Sequence, residues 1–300
     1  MLRKIMMIFS FIGVMFVYCI STIASTGTYA MSFTGLISNP YTASLANTVT
    51  AANNSNAVFI NPASLGHKEY RQISAQLFKY IDNIEYKQFQ IIQPYFKGSM
   101  ALSYTWLNYG TYQQTTWTDK EGETTDAITN MGRLLHITYA RQVLNTNFGI
   151  SAKVMEEVLA SYKARTVSVD LGLQKVIKEN VILGMSISNM SINKVTFIND
   201  SAYLRKSARM GIQYEPLVFK NRLTLLTDYS YLQDKSILSY ATVITLHPKL
   251  SIRLGSNQFS DLFNLSLGVG INLESFNIDM SYKNVADFSD VYRIQVGVRF

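Results

Sequence analysis

From position 71 to the C-terminus the chain alternates, residue by residue, between large apolar and small or polar side chains, and no other feature restricts its fold as much. In the last ten residues Tyr292, Ile294, Val296, Val298 and Phe300 fall on one side of an extended chain and Arg293, Gln295, Gly297 and Arg299 on the other, because successive strand residues point to opposite faces. Segments of the same kind run 71–79, 85–93, 99–107, 133–143, 147–157, 164–175, 181–189 and 207–215, then 222–232, 239–247, 250–257, 263–273, 276–282 and 292–300. About fourteen strands are therefore predicted, an even number, as closed antiparallel barrels of a single chain require.

What meets the apolar face follows from composition. Hydrophobic residues make up 48% of the chain and charged residues 16%, with 19 Tyr and 16 Phe, against roughly a quarter charged in ordinary soluble domains. Beyond the N-terminus no apolar run is long enough for a membrane helix. Excess greasiness without a greasy segment is what period-two, lipid-facing strands produce. Connection lengths agree: the links 94–98, 144–146, 176–180, 216–221, 248–249 and 274–275 are brief, and they alternate with longer ones at 108–132, 190–206 and 283–291. Barrels of the outer membrane sort short periplasmic turns from long outer loops in this way. The expected fold is thus all-β, a transmembrane antiparallel β-barrel in the bacterial outer membrane with both termini periplasmic. The terminal alternating strand, with Tyr292 and a final Phe300, resembles the insertion signal read by the barrel assembly machinery.

The N-terminus fixes the compartment. Arg3 and Lys4 precede an apolar run over 5–23 and then small residues, the order of a secretory signal peptide. Residues 1–30 are assigned to it, with cleavage after Ala30 preferred to cleavage after Ala24. The one cysteine, Cys19, lies in this leader, so the mature chain is expected to carry neither disulfides nor a thiol nucleophile. Net charge is +7 without a basic cluster, which argues against nucleic acid as a partner. Residues 31–66 do not alternate and are rich in Ala, Asn, Ser and Thr; they read as loop and short helix forming a plug, ahead of a barrel over 67–300.

Chemistry is sparse. His67, His136 and His247 are far apart and lack a metal-ligand spacing, and neither a nucleophile elbow nor a phosphate-binding glycine loop occurs. No enzyme, cofactor or metal is expected. Parity sends Lys153, Asp170, Arg209, Asp228, Arg253, Asp279, Arg293 and Arg299 into the lumen, where opposite signs are expected to pair across it.

Asn61-Pro62-Ala63 is a rigid turn, since proline fixes its own φ and holds the preceding residue extended. In its place before the first strand it resembles the Asn-Pro-Ala signature of the FadL family of outer-membrane channels for hydrophobic compounds. The upstream run from Ala43 to Phe59 is similar to that family's N-terminal plug. Tyr139-Ala140-Arg141, Gly149 with Lys153, Asp170 to Leu173, Gly184 with Asn189, and Arg209 through Gly211 to Tyr214 resemble landmarks of its shorter PorV/PorQ branch. The chain departs from that branch where a Leu-Pro pair should precede Arg209, having Ser201-Ala202-Tyr203-Leu204 instead. Two functions are implied. One is passive uptake of hydrophobic small molecules such as long-chain fatty acids, with Tyr109, Tyr112, Trp117, Phe197 and Tyr203 as the capture site and Lys194, Arg205 and Lys206 as partners for a carboxylate. The other is a PorV-like role in type IX secretion, in which the outer loops receive secreted proteins. Membrane lipids are partners on either reading.

Overall fold

The computed structural model describes residues 29–300 except 37, 67, 81–83, 114, 116, 122–126, 161, 197–200, 220–221, 233–234, 260–261 and 285–289; His67, Phe197 and residues 1–28 of the expected leader lie outside the described residues. Seventeen strands are described in chain order. They are β1 (Tyr29–Ala30), β2 (Gln72–Lys79), β3 (Glu85–Tyr95), β4 (Gly98–Gln113), β5 (Ala127–Val143), β6 (Thr146–Leu159), β7 (Tyr162–Lys178) and β8 (Val181–Ser191). After these come β9 (Val195–Thr196), β10 (Ser201–Leu204), β11 (Ser207–Tyr214), β12 (Leu223–Leu232), β13 (Lys235–His247), β14 (Leu250–Phe259), β15 (Leu262–Asn272), β16 (Phe276–Lys283) and β17 (Val291–Arg299).

Fourteen of them, β2–β8 and β11–β17, close into one antiparallel barrel. Neighbours in sequence pair throughout, and β17 closes on β2 with Gln295 opposite Gln76. Closure leaves the barrel itself without an unpaired sheet edge. The wall is inside-out relative to a soluble barrel: Leu77, Phe89, Tyr104, Ile137, Val154 and Val296 are exposed on its outer surface, while Gln76, Gln90, Ser103, Thr138, Asp170 and Gln295 are buried within. In the last strand this resolves residue by residue, with Arg293 and Gln295 buried and Ile294, Val296 and Phe300 exposed.

The strands run farther than alternation alone indicated. The expected loop 108–132 is hydrogen-bonded strand as far as Gln113 and again from Ala127, with a bulge between Asn108 and Gly110. There the Thr111 and Thr129 hydroxyls meet at 3.3 Å: above the apolar band both faces of a hairpin are polar, so pairing continues while the pattern stops. The expected loop 190–206 likewise contains β9 and β10, which join β1 in a small three-stranded sheet, Tyr29 pairing in parallel with Tyr203; Tyr29 and Ala30, the last two residues of the expected leader, thus form the strand that opens the plug segment.

The lumen holds the segment 29–66. After β1 it forms a 3-10 turn (Ser32–Leu36), helix α1 (Pro40–Ser44) and 3-10 turns at Ser55–Phe59 and Pro62–Leu65. Each polar side chain at a start does a capping job: Asn39 accepts from the Thr42 amide, Asn54 from Asn56, and Asn61 from Ala63, the role for which Asn is suited. Pro40 and Pro62 occupy first-turn positions, where a missing N–H costs nothing. Among the described residues no helix is long and apolar enough to cross a membrane, which says nothing of the strands.

Candidate functional site: the plug and the cavity beside it

Toward the end of the barrel where the links are short, the plug is pressed against the wall. Inward-facing glycines make this possible. A Cβ on Gly149 would collide with the Pro62 and Ala63 backbone, one on Gly172 with the Asn61 side chain, one on Gly184 with Thr50, and those on Gly255 and Gly268 with Leu45 and Ser44. The backbone at this contact still carries polar groups, and a buried one left unpaired costs about 1–3 kcal/mol. The wall supplies their partners. Asp228, fully buried, accepts from the Thr50 amide at 2.9 Å and its hydroxyl at 2.7 Å. Gln174 donates to the carbonyls of Thr50 at 3.1 Å and Ala52 at 3.0 Å, and Gln76 to that of Ser38 at 2.9 Å.

Asn61 is the junction of the whole plug. Its Nδ2 donates to the Thr50 carbonyl at 2.6 Å and the Leu173 carbonyl of β7 at 3.3 Å, while its Oδ1 caps Ala63 at 3.0 Å. Pro62 and Ala63 follow it into the wall at Gly149. The three residues therefore act inside the lumen and not as a simple lead into the first strand.

The lumen charges pair along the wall and with the plug, not across open space, because the plug fills the centre. Lys153 of β6 lies 2.6 Å from Asp170 of β7 and donates to Asn189 at 3.0 Å. Arg253 of β14 meets Asp279 of β16 at 2.5 Å and stacks over plug Tyr41 at 4.7 Å; burial pushes the Tyr41 phenol up to about 12 against the opposing pull of Arg253. Arg209 donates to Ser230 at 3.0 Å and to the plug carbonyl of Asn47 at 3.5 Å. Arg293 covers the Phe78 ring at 4.4 Å, and Arg299 covers Tyr70 at 4.8 Å while bonding Gln72 at 2.9 Å.

Toward the other end the plug stands off from β8 and β11–β14, leaving a cavity of about 310 Å³. That is at the lower end of the range for small-molecule pockets, roughly 300–1,000 Å³. Met31, Phe59, Leu232 and Ile237 give it an apolar surface, and Arg205 and Arg209 bring positive charge. The Oδ1 atoms of Asn47 and Asn257, both at its edge, have no hydrogen-bond partner. A smaller space of about 130 Å³ lies at the short-link end beside Lys68 and Gln142; burial, and then Arg299, holds the Lys68 ammonium below the usual lysine range.

Of the expected aromatic capture residues, the described ones, Tyr109, Tyr112, Trp117 and Tyr203, do not line this cavity. Tyr109 points inward and donates to Glu157 at 2.6 Å, Tyr112 folds back on the Tyr109 carbonyl at 2.9 Å, and Trp117 is 96% exposed. Tyr203 lies on β10 with the Lys194 ammonium 5.1 Å from its ring. Tyr292 and Phe300 are exposed on the outer face of β17 and just past its end. Among the described residues no group of His, Cys, Asp and Glu is placed to hold a metal. What sequence reasoning missed is the cavity itself and Thr50, Asp228 and Gln174 as a clasp. The inward glycines were its visible trace, since nothing else explains glycine at those strand positions.

No protein-family model and no curated protein matches the chain. Solved structures do. The toluene transporter TodX of Pseudomonas putida superposes with a TM-score of 0.56 at 14% identity, over 87% of this chain and 96% of that one. A Pseudomonas aeruginosa FadL homologue gives 0.59 at 10%, over 88% and 98%. The fold is of the FadL type. The monoaromatic hydrocarbon channel CymD shares this FadL-type barrel, with a TM-score of 0.57 at 11% identity over 87% and 96% of the two chains.

Proposed function

We propose that this FadL-type barrel lies in the bacterial outer membrane, with both termini periplasmic, and conducts hydrophobic small molecules inward past its plug. The observation that carries this is the cavity between plug and wall, apolar on Met31, Phe59, Leu232 and Ile237 and cationic at Arg205 and Arg209. That lining suits a molecule with an apolar body and one carboxylate, such as a long-chain fatty acid, because a few convergent polar groups orient a ligand that apolar surface holds. The exposed apolar outer wall supports the compartment, since apolar surface of this extent marks a membrane interface. Structural neighbours described as a toluene transporter and a monoaromatic hydrocarbon channel support the transported class.

The test is uptake into vesicles holding purified protein. The wild type should admit oleate, and a double variant Arg205→Gln/Arg209→Gln should slow it about ten-fold, the loss of one charge-assisted contact, while uptake of toluene is unchanged. Oleate and toluene both failing to enter vesicles with folded protein would remove the channel reading.

One observation favours the PorV-like alternative: the β4–β5 pairing runs on as far as Gln113 and Ala127, and among the described residues of this hairpin Tyr112 and Trp117 are exposed. On this reading it binds secreted polypeptides. Mass spectrometry of gently purified protein separates the two, since a retained lipid supports the channel and retained exported proteins support the receptor.

A further inference from the structure

The outer face of the barrel carries a cluster of cations at one place. Strand register sets Trp106, Arg133, Glu156 and Arg165 side by side across β4–β7. Around the Glu156 carboxylate stand Arg165 Nε at 2.6 Å, Lys163 Nζ at 2.9 Å and Arg133 Nη1 at 3.5 Å. Three cations share one carboxylate, leaving an excess of two positive charges. All three cationic side chains remain 44–68% exposed, and exposed ion pairs contribute only about 0–1 kcal/mol each, so stability does not account for gathering them.

Their position does. Two residues farther along the same strands, toward the short-link end, the row is apolar: Tyr104, Leu135, Val154 and Val167 lie side by side facing outward. The cations thus stand where the apolar band ends. Trp106 is beside them, with Lys87 5.7 Å from its ring, and Trp is characteristic of membrane interfaces. On β11–β13 the described outward positions Met210, Ile212, Tyr229 and Tyr240 carry no charge. Arginine forks match phosphate oxygens in pairs and lysine adds a point charge.

We propose that Arg133, Lys163 and Arg165 form a phosphate-binding site for an outer-leaflet glycolipid of the lipid A type. Its acyl chains lie along Tyr104, Leu135, Val154 and Val167, and its phosphates replace part of the contact that Glu156 makes. This rests on the reading that the barrel spans the outer membrane with its long-link end outward.

Native mass spectrometry of the full-length protein in detergent tests it, with bisphosphorylated lipid A and its dephosphorylated form as probes. Wild type should hold the bisphosphorylated lipid, and Arg133→Gln/Lys163→Gln/Arg165→Gln should hold it about ten-fold more weakly or worse. Both proteins should bind the dephosphorylated lipid equally poorly, and Arg141→Gln at the other end should bind like wild type. Equal retention by wild type and triple variant, or no preference for phosphate, would overturn the site. Heat-modifiable gel mobility reports folding; should the triple variant misfold, Lys163→Gln/Arg165→Gln, which keeps the Arg133–Glu156 pair, takes its place. Membrane fractionation separates the two failures. Wild type absent from the outer membrane breaks the underlying reading, whereas correct fractionation without phosphate preference breaks only this site.

Discussion

The same strands treat the plug differently at their two ends. On β6 the inward side chain passes from Gly149 to Lys153, on β8 from Gly184 to Ser188, on β11 from Gly211 to Arg209, and on β14 from Gly255 to Asn257. At the glycine end the plug lies in contact with the wall, by its backbone at Gly149, Gly184 and Gly255 and by the Thr50 side chain at Gly211; at the other end it withdraws and leaves the cavity. Within two to four residues, strand by strand, the wall changes from a clamp to a chamber. The difference teaches how one segment can seal a lumen and still leave room for a ligand: backbone contact requires the absence of side chains, and a chamber requires side chains that reach only part of the way.

The largest effect should come from abolishing the comparison altogether. Deleting 31–66 removes every contact at the clamp and exposes a polar lumen, so planar-bilayer conductance should rise from near zero to discrete open-channel steps. A closed deletion variant that is folded by heat-modifiability would mean that something other than the plug seals the barrel. Next in size is Gly149→Leu, which drives a side chain into the Pro62 and Ala63 backbone. Overpacking of a tight site costs about 1–3 kcal/mol. The cheapest relief is displacement of the plug, so the variant should leak ions while the barrel persists.

Much of this wall was readable beforehand, and the reasons are local. Period-two alternation identified all fourteen barrel strands because each has one apolar and one polar face, and parity alone sent Asp170, Asp228 and Arg253 inward. It did not reveal their partners. Asp228 is held by Thr50, 178 positions away, and no periodicity connects them. The plug was legible as the part that does not alternate and by the rigid Asn61-Pro62-Ala63 turn, but its contacts were not, since its short turns depend on capping by Asn39, Asn54 and Asn61 and on hydrogen bonds to the wall. Loop aromatics were hard to place for the opposite reason: Tyr109 keeps the inward parity of Thr105 and Leu107 and reaches Glu157, while Trp117 lies past the end of the strand, where alternation gives no direction. A row of glycines at inward strand positions, with the Asn61-Pro62-Ala63 turn, was the sequence signal of the clamp.

Asp228→Ala probes the clamp chemically. It withdraws the acceptor from both the amide and the hydroxyl of Thr50, and each buried group left unpaired costs about 1–3 kcal/mol. The plug should loosen without leaving, giving brief openings in bilayer recordings where Gly149→Leu gives sustained ones. Asp228→Asn keeps an acceptor oxygen and should restore most of the closed time. Equal leakage from the Ala and Asn variants would show that the charge, and not the hydrogen bonds, holds this part of the plug.

The smallest effect on stability belongs to the chamber, and there the contrast with Gly149→Leu is sharpest. Ser239 is buried, faces inward from β13 and borders the cavity. Ser239→Leu ends in the same side chain that displaces the plug at position 149, but places it in a space of about 310 Å³ that can receive it. Its cost should stay within about 0.5 kcal/mol, the range of substitutions that create neither a clash nor a void, read as an unchanged unfolding midpoint in urea. The plug should remain shut to ions. Oleate uptake, however, should fall, because the added side chain occupies volume the ligand needs. If Ser239→Leu destabilised the barrel as much as Gly149→Leu, the two ends would be packed alike and the distinction between clamp and chamber would fail. If it left both stability and uptake untouched, the chamber would be real but off the ligand's path.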